Sequence, residues 1–295
     1  MLSILFISAV VVCCADVRAN GPINLFAASS KNYGFDPEPL ESGSHIVQTQ
    51  DHEFHIFAPN NLVHPSKVVR NDPSGWKTNL HASDNQWLAW YFKSYLGGVS
   101  MGFTYFSSYF TVPPLPKTKS NVCFFNSLQA SYDPKSYNYI LQPVLSYGSW
   151  MDGTCYDTWL INSVMCPASG NCQWTKQLKT SPGNVIYGTI EQIQGNTNSY
   201  KFRVNITDVT AKSEIQSLVY STSYFAPMAL VSFEHNPAGS VKSCDEIPDA
   251  TSMDFVSNVL KPTSADMWQG SQSEWSCGLG VDIFVYSDDK LSIKL

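Results

Sequence analysis

The feature that most limits the fold of this chain is a series of short runs of aromatic and β-branched residues beyond Trp87. Turn-forming stretches such as PPLP (113–116) and SPGN (181–184) separate some of the runs. Many short strands at regular spacing predict a β-sandwich or barrel. The runs lie at 103–112, 121–128, 137–146, 156–165, 185–192, 199–206, 215–220, 228–235, 253–260 and 280–294.

Composition agrees with a sheet protein. Charged residues make up 14% of the 295 residues and aromatic residues 13%, whereas ordinary domains carry roughly 25% charged residues. Aromatic and β-branched residues favour strands, and no helix longer than two turns is expected. The formal net charge of −6 and the lack of a basic patch argue against a nucleic-acid partner.

The amino terminus predicts a secreted protein. The apolar run from Leu2 to Cys14 is too short to span a bilayer, and small-residue cleavage sites follow it. This pattern is typical of a signal peptide over residues 1–19. No run of about 18 apolar residues occurs, so no membrane anchor is expected and the location should be extracellular.

Residues 20–83 form a region of different texture, rich in Pro, Asn, Ser and His, ahead of a sandwich domain at 84–295. We interpret it as an irregular amino-terminal arm or a propeptide, with Arg70 as a weak processing point. Alternatively, HEFHIF (52–57) adds a strand to the sandwich and stays in the mature protein. The histidines of the region are either exposed loop residues or acid sensors that charge between about pH 5 and 8. They are His45, His52, His55, His64 and His81.

Six cysteines remain once the signal peptide is removed. An even number in an oxidising compartment predicts three disulfides. Sequence leaves the pairing open, although Cys166 and Cys172 are close enough to close one loop. No CxxC pair occurs, so we expect no zinc site, no other metal and no cofactor. The six are Cys123, Cys155, Cys166, Cys172, Cys244 and Cys277.

Two predicted strands each place a polar side chain among apolar ones. On YNYILQPVLSYG (137–148), Gln142 shares a face with Ile140 and Val144, because alternate strand residues face the same way. On MALVSFEHN (228–236), Glu234 shares a face with Leu230 and Ser232. Burying an amide or a carboxylate without a partner is costly. Either each group is satisfied locally, or the two strands supply an amide and a carboxylate to one concave face.

Two further motifs carry possible chemistry. GVSMG (98–102) matches the G-x-S-x-G nucleophile elbow, but sheet and proline follow it where the motif needs a helix, so Ser100 is expected in a turn. Asn205-Ile206-Thr207 is an N-glycosylation sequon, which predicts a glycan on Asn205 of a secreted chain.

The order of the landmarks resembles the secreted glutamic peptidases, or eqolisins. YFTVPPLP is followed by CFFNSLQ, YILQPVLSYG, YDTW, PGNVIYGTI, YKFRVNITD, ALVSFEHN and MDFVSNV, from about Phe103 to Val259. The resemblance implies a concanavalin A-like antiparallel β-sandwich. It also implies a catalytic pair of one glutamine and one glutamate, and only Gln142 and Glu234 stand at the matching positions.

The mechanism implied by the resemblance is acid hydrolysis of a polypeptide substrate. Glu234 would be general base for the attacking water, with Gln142 stabilising the oxyanion. A carboxyl near its reference pKa of about 4.3 would give a low pH optimum. The alternative is a catalytically silent sandwich that binds carbohydrate or extracellular matrix, because fold does not fix function. The two predictions differ in whether Gln142 and Glu234 lie within one water of each other.

Overall fold

The structure is a computed structural model of the chain. It describes residues 40–48, 54–61, 63, 67–69, 87–95, 102–131, 138–149, 155–167, 172–196, 199–235, 243–263, 266–272, 277–285 and 287–295. The expected signal peptide, Ser100, Arg70 and three of the histidines (His52, His64 and His81) lie outside these residues.

Within the described residues the chain forms eighteen strands and one short 3₁₀ helix, Cys244–Glu246. No described helix is long and apolar enough to cross a membrane. The strands are β1 (Ser44–Gln48), β2 (Phe54–Phe57), β3 (Lys67–Val69), β4 (Trp87–Ser94), β5 (Tyr105–Thr111), β6 (Val122–Gln129), β7 (Tyr139–Ser149), β8 (Cys155–Pro167), β9 (Gln173–Trp174), β10 (Leu178–Thr180), β11 (Val185–Asn196), β12 (Ser199–Asp208), β13 (Gln216–Thr222), β14 (Met228–His235), β15 (Ser252–Lys261), β16 (Trp268–Gln272), β17 (Phe284–Val285) and β18 (Lys290–Lys294).

The strands form two nine-stranded sheets, which confirms the predicted β-sandwich. The first sheet has the order β18-β15-β5-β11-β12-β13-β1-β2-β3. The second has the order β10-β8-β7-β6-β14-β4-β16-β17, with β9 paired to β8. Neighbouring strands are antiparallel except for β1 and β13, which pair in parallel.

The sheets pack face to face over a continuous apolar core. Alternate residues of both sheets point inward, as the period of a strand requires. Phe124 of β6 and Phe233 of β14 stack at 4.4 Å, and the fully buried Trp159 of β8 packs beside Phe124. The core therefore fixes the inward face of each strand and leaves the alternate residues on the outer faces.

One close approach of the sheets lies directly behind Gln142. Gly188 of β11 faces Pro143 of β7, and a Cβ on Gly188 would stand 2.8 Å from Pro143 Cγ and 2.7 Å from Asn126 Oδ1. Only glycine fits there. Pro143 also lacks a donor for the ladder to β6, which is interrupted between the pairs Phe125–Val144 and Leu128–Leu141.

Part of the expected arm belongs to the sandwich. Strands β1, β2 and β3 extend the first sheet beyond β13, so three described segments of residues 20–83 are strands of the sandwich. Phe54–Phe57 of HEFHIF is therefore a strand of the first sheet. The run predicted at 280–294 is also broken, because β17 joins the second sheet and β18 the first.

Candidate functional site

The outer face of the second sheet carries both predicted catalytic residues. It holds a second apolar cluster, separate from the core, to which the first sheet contributes no residue. We call this group the outer cluster; its residues are Trp90, Cys123, Phe125, Ile140, Val144, Val164, Cys166, Cys172, Trp174, Met228 and Leu230. All are buried, so this face is not an ordinary solvated sheet surface.

Gln142 lies on the outer face between Ile140 and Val144, as the alternation predicts. Its side chain is only 6% exposed. The amide Oε1 lies 3.8 Å from Sγ of Cys166 on β8. Gln142 therefore leans toward β8, on the side of β7 away from β6 and β14.

Glu234 lies on the same outer face, at the far end of β14. It is paired with Cys123 of β6, and its Oε2 lies 3.9 Å from the Cys123 thiol. The next residue, His235, points inward, where its Nε2 stands 3.3 Å from Glu246 Oε2. The sequence therefore assigned the face of each residue correctly.

The structure does not bring Gln142 and Glu234 together. Glu234 is level with Cys123 and, across β6, with Ser146. By the same register Gln142 is level with Leu230 of β14, four residues from Glu234 along the strand. The offset is about 13 Å along the strands and about 10 Å across them, so the Cα atoms are roughly 16 Å apart. One water does not bridge that gap, and the Gln142 amide leans the other way.

Burial also changes the acid–base chemistry of Glu234. Removal from water raises the pKa of Glu234 to about 8, partly offset by the contact with Cys123. The carboxyl is then protonated in acid and near neutrality, where a general base must be ionised. The acid optimum expected from a pKa near 4.3 does not hold for this environment. The same burial and the Glu234 carboxyl raise the pKa of the Cys123 thiol, so Cys123 is no activated nucleophile.

The cysteines form two disulfides within the described residues. Cys166–Cys172 closes a short loop on the outer face, and Cys244–Cys277 ties the 3₁₀ helix to the segment before β17. The expected third bridge is wrong for Cys123, which is a buried free thiol. The physical reason is its place in the middle of the sheet, where its side chain contacts Glu234 and reaches no other described cysteine. The Cys155 side chain lies outside the described part.

Several polar groups of the outer face are buried without a partner. Each either belongs to the outer cluster or lies two residues from one of its members on the same strand, and so points away from the core. No hydrogen-bond partner is present among the described residues for any of them. A buried polar group without a partner costs about 1–3 kcal/mol. The groups are the hydroxyls of Ser127, Ser146 and Ser232, both amide atoms of Asn162, and Nε1 of Trp174.

Sequence reasoning placed Ser232 on the face of Glu234 without assigning it a role, and it did not single out Ser127, Ser146 or Asn162, although a signal was present. Ser232 in LVSFE and Ser146 in VLSYG follow the same alternation as Glu234 and Gln142. A run of apolar residues that repeatedly places serine on one face indicates a polar-lined surface on that face.

The outer face of the first sheet carries the sequon and a group of tyrosines. Asn205 of β12 is half-buried and donates through Nδ2 to Thr189 Oγ1 at 3.3 Å. Tyr187 of β11 stacks on Tyr109 of β5 at 4.3 Å, and its hydroxyl lies 3.1 Å from that of Tyr105. The tyrosines were also missed, although FTYFSSYFTV alternates tyrosine with phenylalanine.

The described histidines do not gather into a metal site. No group of three or more His, Cys, Asp or Glu side chains suited to a metal occurs among the described residues. His45 of β1 contacts the Ser221 hydroxyl of β13 at 2.7 Å through Nε2. Burial and the nearby Lys201 lower the pKa of His45 to about 4, so this histidine resists charging through the range expected for an acid sensor.

Comparison with known proteins finds similarity at the level of structure only. No protein-family model matches the chain, and no curated protein matches it by sequence. Scytalido-glutamic peptidase bound to a transition-state analogue inhibitor is 13% identical, with a TM-score of 0.47, 71% of this chain covered and 98% of the other. SCP-B, a member of the eqolisin family bound to the tripeptide Ala-Ile-His, is 12% identical, with a TM-score of 0.44 and the same coverage. The CBM2 module of the evolved Dit of Lactobacillus casei BL23 phage J-1 is 11% identical, with a TM-score of 0.30. The match covers 50% of this chain and 61% of the other.

Proposed function

We propose that this protein is a catalytically silent β-sandwich that binds a neutral, hydroxyl-rich ligand, a saccharide, on the outer face of the second sheet. One observation carries the proposal: buried, unpartnered hydroxyl and amide groups share that face with Trp90 and Trp174. Buried polar groups in proteins are nearly always satisfied, and a set left open together calls for a partner.

The chemistry of the face suits a saccharide. Hydroxyl and amide side chains both donate and accept, as sugar hydroxyls do. Indole rings provide large, flat apolar surface with one polar handle. Glu234 is the one carboxyl of this set, and its raised pKa keeps it neutral up to about pH 8. A ligand with many hydroxyls and no charge matches this set of groups.

Binding is expected to be slow. Ser127, Ser232 and Asn162 are fully buried. Association that first requires exposure of the face proceeds more slowly than docking to an open surface. We further propose that the protein works outside the cell, with which the two disulfides among the described residues are compatible.

The test is equilibrium binding of the mature chain to a panel of neutral and charged oligosaccharides. We expect Ser232→Ala and Asn162→Ala to weaken binding of a neutral glycan about tenfold each, the loss of roughly one hydrogen bond to a buried partner. Ser217→Ala, on the outer face of the first sheet, is the matched control and should bind normally. If no glycan binds, or if the control weakens binding equally, the proposal fails and ordered waters satisfy these groups.

Glutamic-type endopeptidase activity is the second candidate. It is favoured by the location of Gln142 and Glu234 on one face of one sheet. Activity would require a rearrangement that closes the offset between them. Cleavage of an unfolded polypeptide at pH 3–4 that disappears in both Glu234→Gln and Gln142→Ala would establish it. If the protein does not cleave, the peptidase candidate fails, and the binding assay alone tests the saccharide proposal.

A further inference from the structure

We propose that an N-linked glycan on Asn205 packs its first sugar against the ring of Tyr187, on the outer face of the first sheet. The sequon alone gives a glycosylation site; the structure adds where the sugar would lie. The inference concerns the other sheet and does not rest on saccharide binding by the outer cluster.

The backbone places the half-buried Asn205 on the outer face of a strand that is paired on both sides. Val204 and Ile206 on either side of it are fully buried, so Asn205 and Thr207 point outward. Strand β12 is paired on both sides, by β11 and β13, which holds the Asn205 side chain in a defined place on the sheet. A glycan attached there begins at a fixed position.

Tyr187 is within reach of that position. Asn205 pairs with Thr189, and Thr207 pairs with Tyr187, so Asn205 and Tyr187 are diagonal neighbours across β12 and β11. Side chains in this relation are about 7–8 Å apart at Cα and closer at Cβ. The first N-acetylglucosamine of a glycan spans such a distance.

The aromatic and hydroxyl contacts of Tyr187 lie on the side of its ring that faces β5. Tyr109, which stacks on it, and Tyr105, which shares a hydrogen bond with its hydroxyl, both belong to β5. Strand β11 lies between β5 and β12, so these contacts occupy the side away from Asn205. They also hold the ring in place, so packing a sugar against it costs little side-chain conformational entropy.

The polar side chains near Tyr187 on β11 and β12 carry hydroxyl and amide groups, which suit a sugar. Thr189 accepts from Asn205 Nδ2, which still has one proton after glycosylation, and Thr207 donates to the Ser213 carbonyl. The Lys261 ammonium lies over the ring of Tyr105, on the β15 side of β5 and so away from Asn205.

The experiment uses the full chain expressed in a glycosylating eukaryotic host. Intact mass first establishes occupancy of Asn205, and an endoglycosidase trims the glycan to one N-acetylglucosamine. We expect that single sugar to raise the melting temperature by about 2–4 °C relative to Asn205→Gln. The same rise in melting temperature, from the unglycosylated to the glycosylated form, should persist in Tyr187→Phe, which keeps the ring. It should vanish in Tyr187→Thr, which removes the ring.

A second measurement is independent of variant stability. Sugar protons held over an aromatic ring should show upfield-shifted NMR signals in the trimmed wild-type glycoprotein. Unshifted sugar signals, an unglycosylated Asn205, or an equal thermal increment in Tyr187→Thr would each overturn the proposal.

Discussion

The outer faces of the two sheets differ in whether their polar side chains have hydrogen-bond partners. On the first sheet, half-buried polar side chains find partners: Asn205 with Thr189, and His45 with Ser221. On the second sheet, several fully buried ones have no hydrogen-bond partner among the described residues, as for the Ser232 hydroxyl. Half-buried groups that are hydrogen-bonded carry little desolvation penalty. Buried polar groups without a hydrogen bond keep the full penalty. This difference is the basis for proposing a ligand site on the outer face of the second sheet.

The largest expected effect tests whether the outer cluster behaves as a core. Leu230 is fully buried there, so Leu230→Ala should lower the free energy of unfolding by about 2–5 kcal/mol. Val219→Ala, on the half-buried outer face of the first sheet, should cost less than about 1 kcal/mol. Chemical denaturation of both variants checks this. Equal small losses would remove the distinction between the faces.

The next effect is a pH dependence that belongs to the second sheet. Because the folded pKa of Glu234, about 8, exceeds the unfolded value near 4.5, the folded state binds the extra proton between these pH values. Glu234 therefore favours folding below about pH 4.5, and that contribution is lost as pH rises toward 8. We expect a loss of about 1–3 kcal/mol, since the carboxyl keeps some solvent contact.

Thermal unfolding at a series of pH values gives this slope directly. Glu234→Gln keeps the shape and removes the titration, so the decline between pH 5 and 8 should flatten. A wild-type stability that rises over this range, with the same slope in the variant, would contradict the assigned pKa.

The first sheet should show the opposite slope, through His45. Its folded pKa of about 4 lies below the ordinary 6.5, so the unfolded chain takes up a proton that the folded chain refuses. Stability is therefore lost as pH falls from about 6.5 to 4. Between pH 7 and pH 4.5, the free energy of unfolding should fall by about 1 kcal/mol less in His45→Gln than in the wild type, as measured by urea unfolding. No change in the acid slope would show that His45 charges freely.

The smallest effect compares two serines directly. Ser221→Ala removes the partner of His45 and should cost about 0.5–1.5 kcal/mol. Ser232→Ala removes a buried hydroxyl that has no partner among the described residues, so the stability of the protein should be unchanged or slightly higher. Denaturant midpoints at equal slope provide the measurement. A clear loss in Ser232→Ala would mean that its hydroxyl is already satisfied.

Strand-level features were predictable from the sequence because they are local. The alternation in YILQPV placed Gln142 with Ile140 and Val144, and the alternation in LVSFE placed Glu234 with Leu230, as observed. A short loop between Cys166 and Cys172 also indicated a feasible bridge, which is present. Each inference needed only the period of a strand or the reach of a few residues.

The register between distant strands was not predictable in the same way. Whether Glu234 is level with Gln142 or with Cys123 depends on pairings of β14 with β6 and of β6 with β7. A shift along a strand by an even number of residues preserves every inward and outward face, so the hydrophobic pattern does not exclude it. Turn geometry and packing across the core, such as Gly188 against Pro143, select the register.

The sequence by itself determined the all-β class, the strands of the sandwich and the face on which each polar residue lies, because these follow from a two-residue period and turn chemistry. Only the tertiary structure decided that Cys123 stays a free thiol beside Glu234, that Ser44–Val69 extends the first sheet, and that Gln142 and Glu234 are separated. The reason is that these outcomes depend on contacts between segments far apart in the chain, which local pattern does not encode.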